Sequence, residues 1–277
     1  MATGARSSPR LASWREPSIP LRNYLEGFAQ APSKLGLPVG GAITLDVALK
    51  VLIVKSANDV AVMIAETVAG SEEAFVARMN EAAQHLGMTR TNFTNVNGLP
   101  DERQVTTARD LAKLARAIIV EFPEHADLFS LVQVQVGKKT MRTHNSLLVS
   151  LPGADGMKTG FICESGFNVV ASATRDRRKL VAVVLGEPSV ASRNDRTTDL
   201  LESGFKRYFW KSLFRTSLDR LAIQAPLSNG PTHLRDSVCG VAMAKSTVRR
   251  SVKSKVARTR SPGVAAPASA VSASEAN

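Results

Sequence analysis

The sequence predicts an α+β fold in which a cluster of helices lies beside an antiparallel sheet. Apolar residues recur at helical spacing through residues 45–69 and again through residues 107–119. Two later apolar runs, 166–174 and 180–185, flank a polar turn, as is typical of an antiparallel hairpin. An amphipathic segment from about 194 to 210 follows and is expected to pack on this sheet.

The first two helices are expected to meet at residues 56–58. Thr44 supplies an N-cap for a helix that ends near Lys55. A second helix begins at about Asn58 and is closed by Gly70. The tripeptide Ser56-Ala57-Asn58 therefore lies at a junction, where side chains can point into a groove instead of a core.

The remaining elements follow from shorter signals. Helices are predicted over 72–86 and from 107 to just before Pro123, with a loop rich in Asn and Thr over 91–99. Weak alternation over 130–142, with a turn at Gly137-Lys138, predicts a small hairpin. A short strand is expected over 156–160.

Charge is concentrated at the two ends of the chain. The net charge is +12, of which residues 217–277 carry +6 and residues 1–30 carry +2. We therefore expect an unrelated or disordered segment over 1–30, a folded domain over 31–216, and a disordered basic tail rich in Ala, Ser and Pro over 217–277. The small charge that remains for 31–216 argues against nucleic acid as the domain's partner.

Several classes of protein are disfavoured. The two cysteines, Cys163 and Cys239, predict neither a disulfide framework nor a metal site. Cys163 is interpreted as a small residue in a loop. The four histidines lack the spacing of a zinc signature, so no metal site is expected; they are His85, His125, His144 and His233. No apolar run approaches the length of a membrane span, and no apolar segment of a secretory signal follows the first arginines.

A series of short motifs in one order carries a family resemblance. The series begins with Pro32–Leu37, Lys55–Ala61, Gly87-Met88 and Asn97–Leu99, and it continues with Thr107–Asp110, His144–Leu148, Asp155–Gly160 and Gly166–Ala173. Residues 31–210 thereby resemble the later two thirds of the D-alanyl-D-alanine carboxypeptidases, the low-molecular-mass penicillin-binding proteins of serine peptidase family S11. The resemblance implies a β-lactamase/transpeptidase-like fold.

The resemblance assigns roles to two groups of residues. Ser56 and Asn58 match the Ser-x-Asn motif, so Ser56 is expected to pass a proton and Asn58 to orient the substrate or a catalytic lysine. Lys158, Thr159 and Gly160 match the Lys-Thr-Gly strand. There, Lys158 and Thr159 would bind the terminal carboxylate of a D-Ala-D-Ala peptide, and Gly160 would let the peptide approach.

Arg193 is expected as a second group that binds the carboxylate, with Arg196 as a competitor. Each residue also has a structural interpretation. Ser56 and Asn58 are also compatible with an ordinary N-cap, Lys158 with a surface lysine, and Arg193 with a solvated charge.

The Ser-x-x-Lys helix, which supplies the family's nucleophile, is not found ahead of these motifs. The sole Ser-x-x-Lys match, Ser203 to Lys206, lies in the last predicted helix and is not expected to be the nucleophile. The sequence therefore predicts an N-terminally truncated domain that lacks the first strands and this helix.

The resemblance implies a serine-type carboxypeptidase that removes the terminal D-Ala from peptidoglycan stem peptides through an acyl-enzyme. It implies stem peptides and β-lactams as ligands, no cofactor, and the periplasm or cell envelope as the location; without an export signal the chain would stay in the cytoplasm. Two alternatives stay open. One is an inactive relic or weak muropeptide-binding protein, and the other is binding of anionic polymers through the basic tail.

Overall fold

The structure is a computed structural model that describes residues 20–22, 33–211 and 233–240. The helices are α1 (Leu45–Lys55), α2 (Asn58–Ala69), α3 (Glu72–His85), α4 (Ala108–Glu121), α5 (Ala126–Phe129), α6 (Leu147–Ser150) and α7 (Val190–Lys211). The strands are β1 (Pro20–Arg22), β2 (Ala42–Thr44), β3 (Gln133–Val136), β4 (Lys139–Arg142), β5 (Ala154–Ile162), β6 (Gly166–Arg175) and β7 (Arg178–Glu187).

All three sheets of the described residues are antiparallel. Strands β1 and β2 form one pair, β3 and β4 form a second, and β5, β6 and β7 form a three-stranded sheet in that order. Helix α7 packs against β6 and β7, and α4 also packs against β7. Strand β5 thus lies at one edge of its sheet, and helices contact the sheet beside it.

The α+β prediction is confirmed. Thr44 caps α1 by accepting a hydrogen bond from the Val47 N–H at 3.3 Å, and Gly70 closes α2 with a positive φ of 88°. The predicted hairpin strands are longer in the structure, because β5 begins at Ala154 and β7 ends at Glu187. The sequence analysis did not predict the β1–β2 pair or the short helices α5 and α6. Segments of three or four residues carry too little periodicity to be recognised.

Two apolar clusters stabilise the domain. The first joins α1 and α2 to the β3–β4 hairpin, with Val51, Val60 and Met63 fully buried. The second joins the three-stranded sheet to α6 and α7, with Val169 and Leu201 among its buried members. The helices that flank Ser56 thus pack in the first cluster, and the sheet that carries Lys158 packs in the second.

The prediction for the cysteines was wrong. Cys163, in the turn between β5 and β6, forms a disulfide with Cys239 across 76 residues of sequence. The Leu234 N–H donates to the Glu164 carbonyl at 2.8 Å, and Arg235 forms an ion pair with the Glu164 carboxylate. Residues 233–240, which fall within the predicted tail, are thus attached to the sheet by contacts that no local pattern reveals.

The rest of the predicted segments 1–30 and 217–277 lies outside the described residues, apart from β1 and residues 233–240. The basic stretch 245–260 is among the residues that the structure leaves undescribed. Within the described ranges, none of the helices combines the length and apolar character that crossing a membrane requires.

Candidate active site

Ser56 occupies the junction between α1 and α2 in an unusual backbone conformation. Its φ of 53° and ψ of 48° are left-handed, and its N–H donates to the Leu52 carbonyl at 3.1 Å. Such a conformation is uncommon for a residue with a Cβ, and it ends α1 while turning the chain directly into α2. The N-cap of α2 is Ala57, which makes no side-chain capping bond. Ser56 is instead the C-cap of α1, so the interpretation of Ser56 as an ordinary N-cap is wrong.

The junction is held from behind by residues 33–36. The Asn58 N–H donates to the Ser33 carbonyl at 2.7 Å. The carboxylate of Asp59, which is buried, accepts from the backbone N–H groups of Leu35 at 3.0 Å and Gly36 at 2.8 Å. Because a buried carboxylate with its donors in place resists displacement, these bonds fix where Ser56 and Asn58 lie. Asn58 is itself buried, at 8% exposure.

Lys158, on β5, reaches across to this junction. Its ammonium group donates to the Ser56 hydroxyl and, at 2.9 Å, to the Thr159 carbonyl. Burial lowers the pKa of Lys158 from 10.5 to about 8, because the charged form loses solvation. The structure thus brings together Ser56 and Lys158, which are separated by 102 residues. Lys158 is not the surface lysine of the structural interpretation.

Thr159 and Gly160 continue the same strand. Thr159 is partly buried, whereas Gly160 is exposed and has open space where a side chain would project. Among the described strands β5 has a partner on only one side, β6. An edge strand with a free glycine is a place where the backbone of a peptide can approach.

Arg193 lies in the first turn of α7 and is buried, with 3% of its surface exposed. Its guanidinium donates to the Asn194 side-chain oxygen at 3.2 and 2.8 Å, and the Asn194 amide donates to the Ser146 hydroxyl at 2.8 Å. Burial lowers the pKa of Arg193. The solvated interpretation is therefore wrong for Arg193, whereas the competing Arg196 is exposed.

His144 belongs to the same surroundings, although sequence reasoning gave it no role. Burial lowers its pKa, and the charges of Lys55, Lys158 and Arg193 lower it further. We call Lys55, Lys158 and Arg193 the cation cluster; His144 lies near it, and its lowered pKa favours the neutral imidazole. In the part of the chain that the structure describes, no carboxylate forms an ion pair with Lys158 or Arg193. The cluster therefore favours an anionic ligand.

The turn that carries His144 is tied to β5. The side-chain amide of Asn145, which is buried, donates to the Gly156 carbonyl at 3.3 Å. This bond and the Asn194–Ser146 bond link β5, the turn before α6 and the start of α7. The sequence analysis used the run His144-Asn145-Ser146 only as part of a motif and did not predict this link.

The Ser203–Lys206 pair lies away from these residues. Both belong to α7, where Ser203 is partly buried and Lys206 is exposed. Ser203 follows Arg193 by ten residues, which corresponds to about 15 Å along a helix axis. This placement supports the expectation that Ser203 is not the nucleophile.

Comparison with known proteins identifies the family of this chain. Residues 22–189 match the peptidase S11 family model, described as D-alanyl-D-alanine carboxypeptidase. The chain is 39% identical to the D-alanyl-D-alanine carboxypeptidase DacC of Escherichia coli over 158 residues, which is 57% of this chain and 40% of that protein. It is 35% identical to DacA of Haemophilus influenzae over 178 residues, 64% of this chain and 45% of DacA. The chain thus spans less than half the length of these relatives.

Solved structures agree with this relationship. Penicillin-binding protein 6B from Escherichia coli superposes with a TM-score of 0.66 at 32% identity, covering 70% of this chain and 64% of that one. The D-alanyl-D-alanine carboxypeptidase DacD from Francisella tularensis gives a TM-score of 0.67 at 26% identity, covering 70% and 60%. The fold is therefore of the β-lactamase/transpeptidase type. The chain belongs to peptidase family S11, the D-alanyl-D-alanine carboxypeptidases.

Proposed function

We propose that this chain binds peptidoglycan stem peptides ending in D-Ala-D-Ala and acts on them as a serine-type carboxypeptidase that releases the terminal D-Ala. The observation that carries the proposal is the contact between the Lys158 ammonium and the Ser56 hydroxyl, made across 102 residues beside an exposed strand edge. β-Lactams, which the family's penicillin-binding members take, would bind in the same groove.

The cation cluster is suited to bind the terminal carboxylate of the peptide. Lys158 would attract the carboxylate, the Thr159 hydroxyl would donate to it, and Gly160 would let the peptide backbone pair with β5. Arg193 would hold the carboxylate from the α7 side, or stabilise it at longer range. A ligand with one carboxylate is well suited to a groove whose lysine and arginine have no acidic partner among the described residues.

The pKa of Lys158, which burial lowers, suits this residue to proton transfer. With a pKa of about 8, Lys158 exchanges protons easily near neutral pH, and its contact with the Ser56 hydroxyl offers a route for a proton towards a leaving amine. Asn58, at the start of α2, would orient the substrate carbonyl or a catalytic lysine. These are the roles of Ser56 and Asn58 in our proposal.

The acyl-enzyme step requires a nucleophilic serine that is activated by a base. The described residues do not place a Ser-x-x-Lys pair beside Ser56 and Lys158, because the single match among them lies on α7. This observation favours a second candidate function, which is binding of stem peptides without turnover. Both functions use the same cation cluster, and they differ only in whether a covalent adduct forms.

Labelling with a fluorescent penicillin separates the two functions. An adduct that survives denaturation, with its site identified by peptide mass spectrometry, is expected for the carboxypeptidase. Calorimetric binding of a diacetyl-Lys-D-Ala-D-Ala peptide without any adduct would support the binding protein. A chain that neither forms an adduct nor binds the peptide would rule out both functions.

The proposed substrate places the protein in the cell envelope. The Cys163–Cys239 disulfide supports this location, because such bonds persist in oxidising compartments and are rare in the cytosol. Fractionation of expressing cells, with alkylation of free thiols before lysis, tests the proposal. Recovery in the cytosol with both cysteines alkylated would contradict it.

A further inference from the structure

Strand β5 contains an irregularity three residues before Lys158. Ala154 pairs with Ala173 and Gly156 pairs with Ser172, so Asp155 is an extra residue opposite no partner on β6. Such a β-bulge bends the strand and changes the direction of the side chains that follow it. From Gly156 onward the pairing is regular as far as Ile162.

The side chain of Asp155 binds all the strands of this sheet together. Its carboxylate accepts from the Ser172 hydroxyl at 2.6 Å and the Thr174 hydroxyl at 2.5 Å, both on β6. It also forms an ion pair at 2.9 Å with Lys179 of β7. Burial alone would raise the pKa of Asp155, but the three donors and the charge of Lys179 together lower it. The group is therefore held as a carboxylate.

Gly156 makes room for this arrangement. A Cβ at position 156 would lie 2.7 Å from the Ser172 hydroxyl oxygen and 3.4 Å from the Phe129 Cβ. Any larger residue would push the Ser172 hydroxyl away from Asp155, since 2.7 Å is well inside van der Waals contact. The sequence Asp155-Gly156 thus supplies both the acceptor and the space that its donor needs.

The bulge also decides where Lys158 points. A shift of one residue in strand pairing moves every later side chain to the opposite side of the sheet. Lys158 reaches the Ser56 hydroxyl only in the register that starts at Gly156. The bonds of Asp155 to β6 and β7 resist that shift, because a slipped strand would leave the half-buried carboxylate without its donors.

We propose that Asp155 is a positioning residue of the active site, which fixes the bulge and register of β5 so that Lys158 reaches Ser56. The proposal rests on the proposed function only in calling this groove an active site. The placement of Lys158 itself can be measured without any substrate.

The test compares Asp155→Asn with Asp176→Asn in the full chain. Asp176 lies exposed in the β6–β7 turn with a φ of 49°, a conformation that asparagine accepts readily. Competitive labelling with acetic anhydride across pH, read by mass spectrometry, gives the pKa of Lys158. We expect a value near 8 in the parent and in Asp176→Asn, and a rise of about one unit or more in Asp155→Asn as Lys158 becomes hydrated.

An unchanged Lys158 pKa in a folded Asp155→Asn variant would overturn the proposal, whatever happens to the melting temperature. If Asp155→Asn does not fold, Ser172→Ala and Lys179→Met each remove one bond to the carboxylate. A raised Lys158 pKa in either variant supports positioning, and loss of stability alone in both overturns it. Penicillin labelling in the same variants separates this result from the proposed function, because the pKa shift is expected even where no adduct forms.

Discussion

The two ends of β5 are held in different ways. Before Lys158, two side chains bind the strand to its neighbours: the half-buried Asp155 bonds to β6 and β7, and the buried Asn145 donates to the Gly156 carbonyl. Beyond Gly160, the turn at Cys163 is joined to residues 233–240 by a disulfide and by exposed polar contacts. Hydrogen bonds and an ion pair thus hold the end that positions Lys158. A disulfide attaches the other end.

The difference has an energetic basis. A half-buried carboxylate that loses its donors costs free energy, so the Asp155 network tolerates little displacement. The Arg235–Glu164 ion pair is exposed, and pairs of this kind contribute little to stability because water screens the two charges. Without the disulfide, the contacts of residues 233–240 would therefore be too weak to keep that segment in place. The comparison predicts that each end can be disrupted without the other.

The largest expected effect on peptide binding follows the replacement Lys158→Met, at the groove end. Loss of a charge-assisted hydrogen bond should weaken binding of a D-Ala-D-Ala peptide by about 10- to 150-fold, which corresponds to about 1.5–3 kcal/mol. Calorimetry measures the affinity, with Lys138→Met in the exposed β3–β4 turn as the matched control. Equal affinities in the two variants would show that Lys158 does not bind the carboxylate.

Reduction of the disulfide tests the other end. Dithiothreitol, or the paired change Cys163→Ser with Cys239→Ser, should lower stability by up to about 2–4 kcal/mol and expose residues 233–240 to proteolysis. Peptide affinity should stay the same, because the groove end is held separately. Arg235→Ala with the disulfide intact should change stability much less than reduction does, because the ion pair that it removes is exposed. A fall in peptide affinity on reduction would show that the two ends are coupled.

The smallest effect is a pH dependence of binding that belongs to the groove end alone. Because burial lowers the pKa of Lys158 to about 8, the charged form is dominant below that pH and is lost above it. Affinity for the peptide carboxylate should therefore fall above pH 8, by at most about tenfold per pH unit. Calorimetry between pH 6 and pH 9.5 measures the slope. A slope of the same size in Lys158→Met would assign the titration to another group.

Local signals were sufficient for the elements that carry the motifs. The caps at Thr44 and Gly70 and the change of helix at Ser56 follow from residue types within a few positions, and the structure confirms them. The Lys-Thr-Gly strand was predicted over 156–160, whereas in the structure it extends from Ala154 to Ile162. The roles of Ser56, Asn58, Lys158, Thr159, Gly160 and Arg193 stay predictions, which the experiments above address.

The sequence by itself determined the α+β class, the order of the longer helices and strands, and the family, because these depend on periodicity, caps and motif order along the chain. Tertiary structure alone decided that Lys158 contacts Ser56, that Arg193 is buried beside His144, and that Cys163 pairs with Cys239. It also gave Asp155 its three partners on two other strands. These contacts join residues far apart in sequence, and they depend on how the packed clusters meet, which no local pattern encodes.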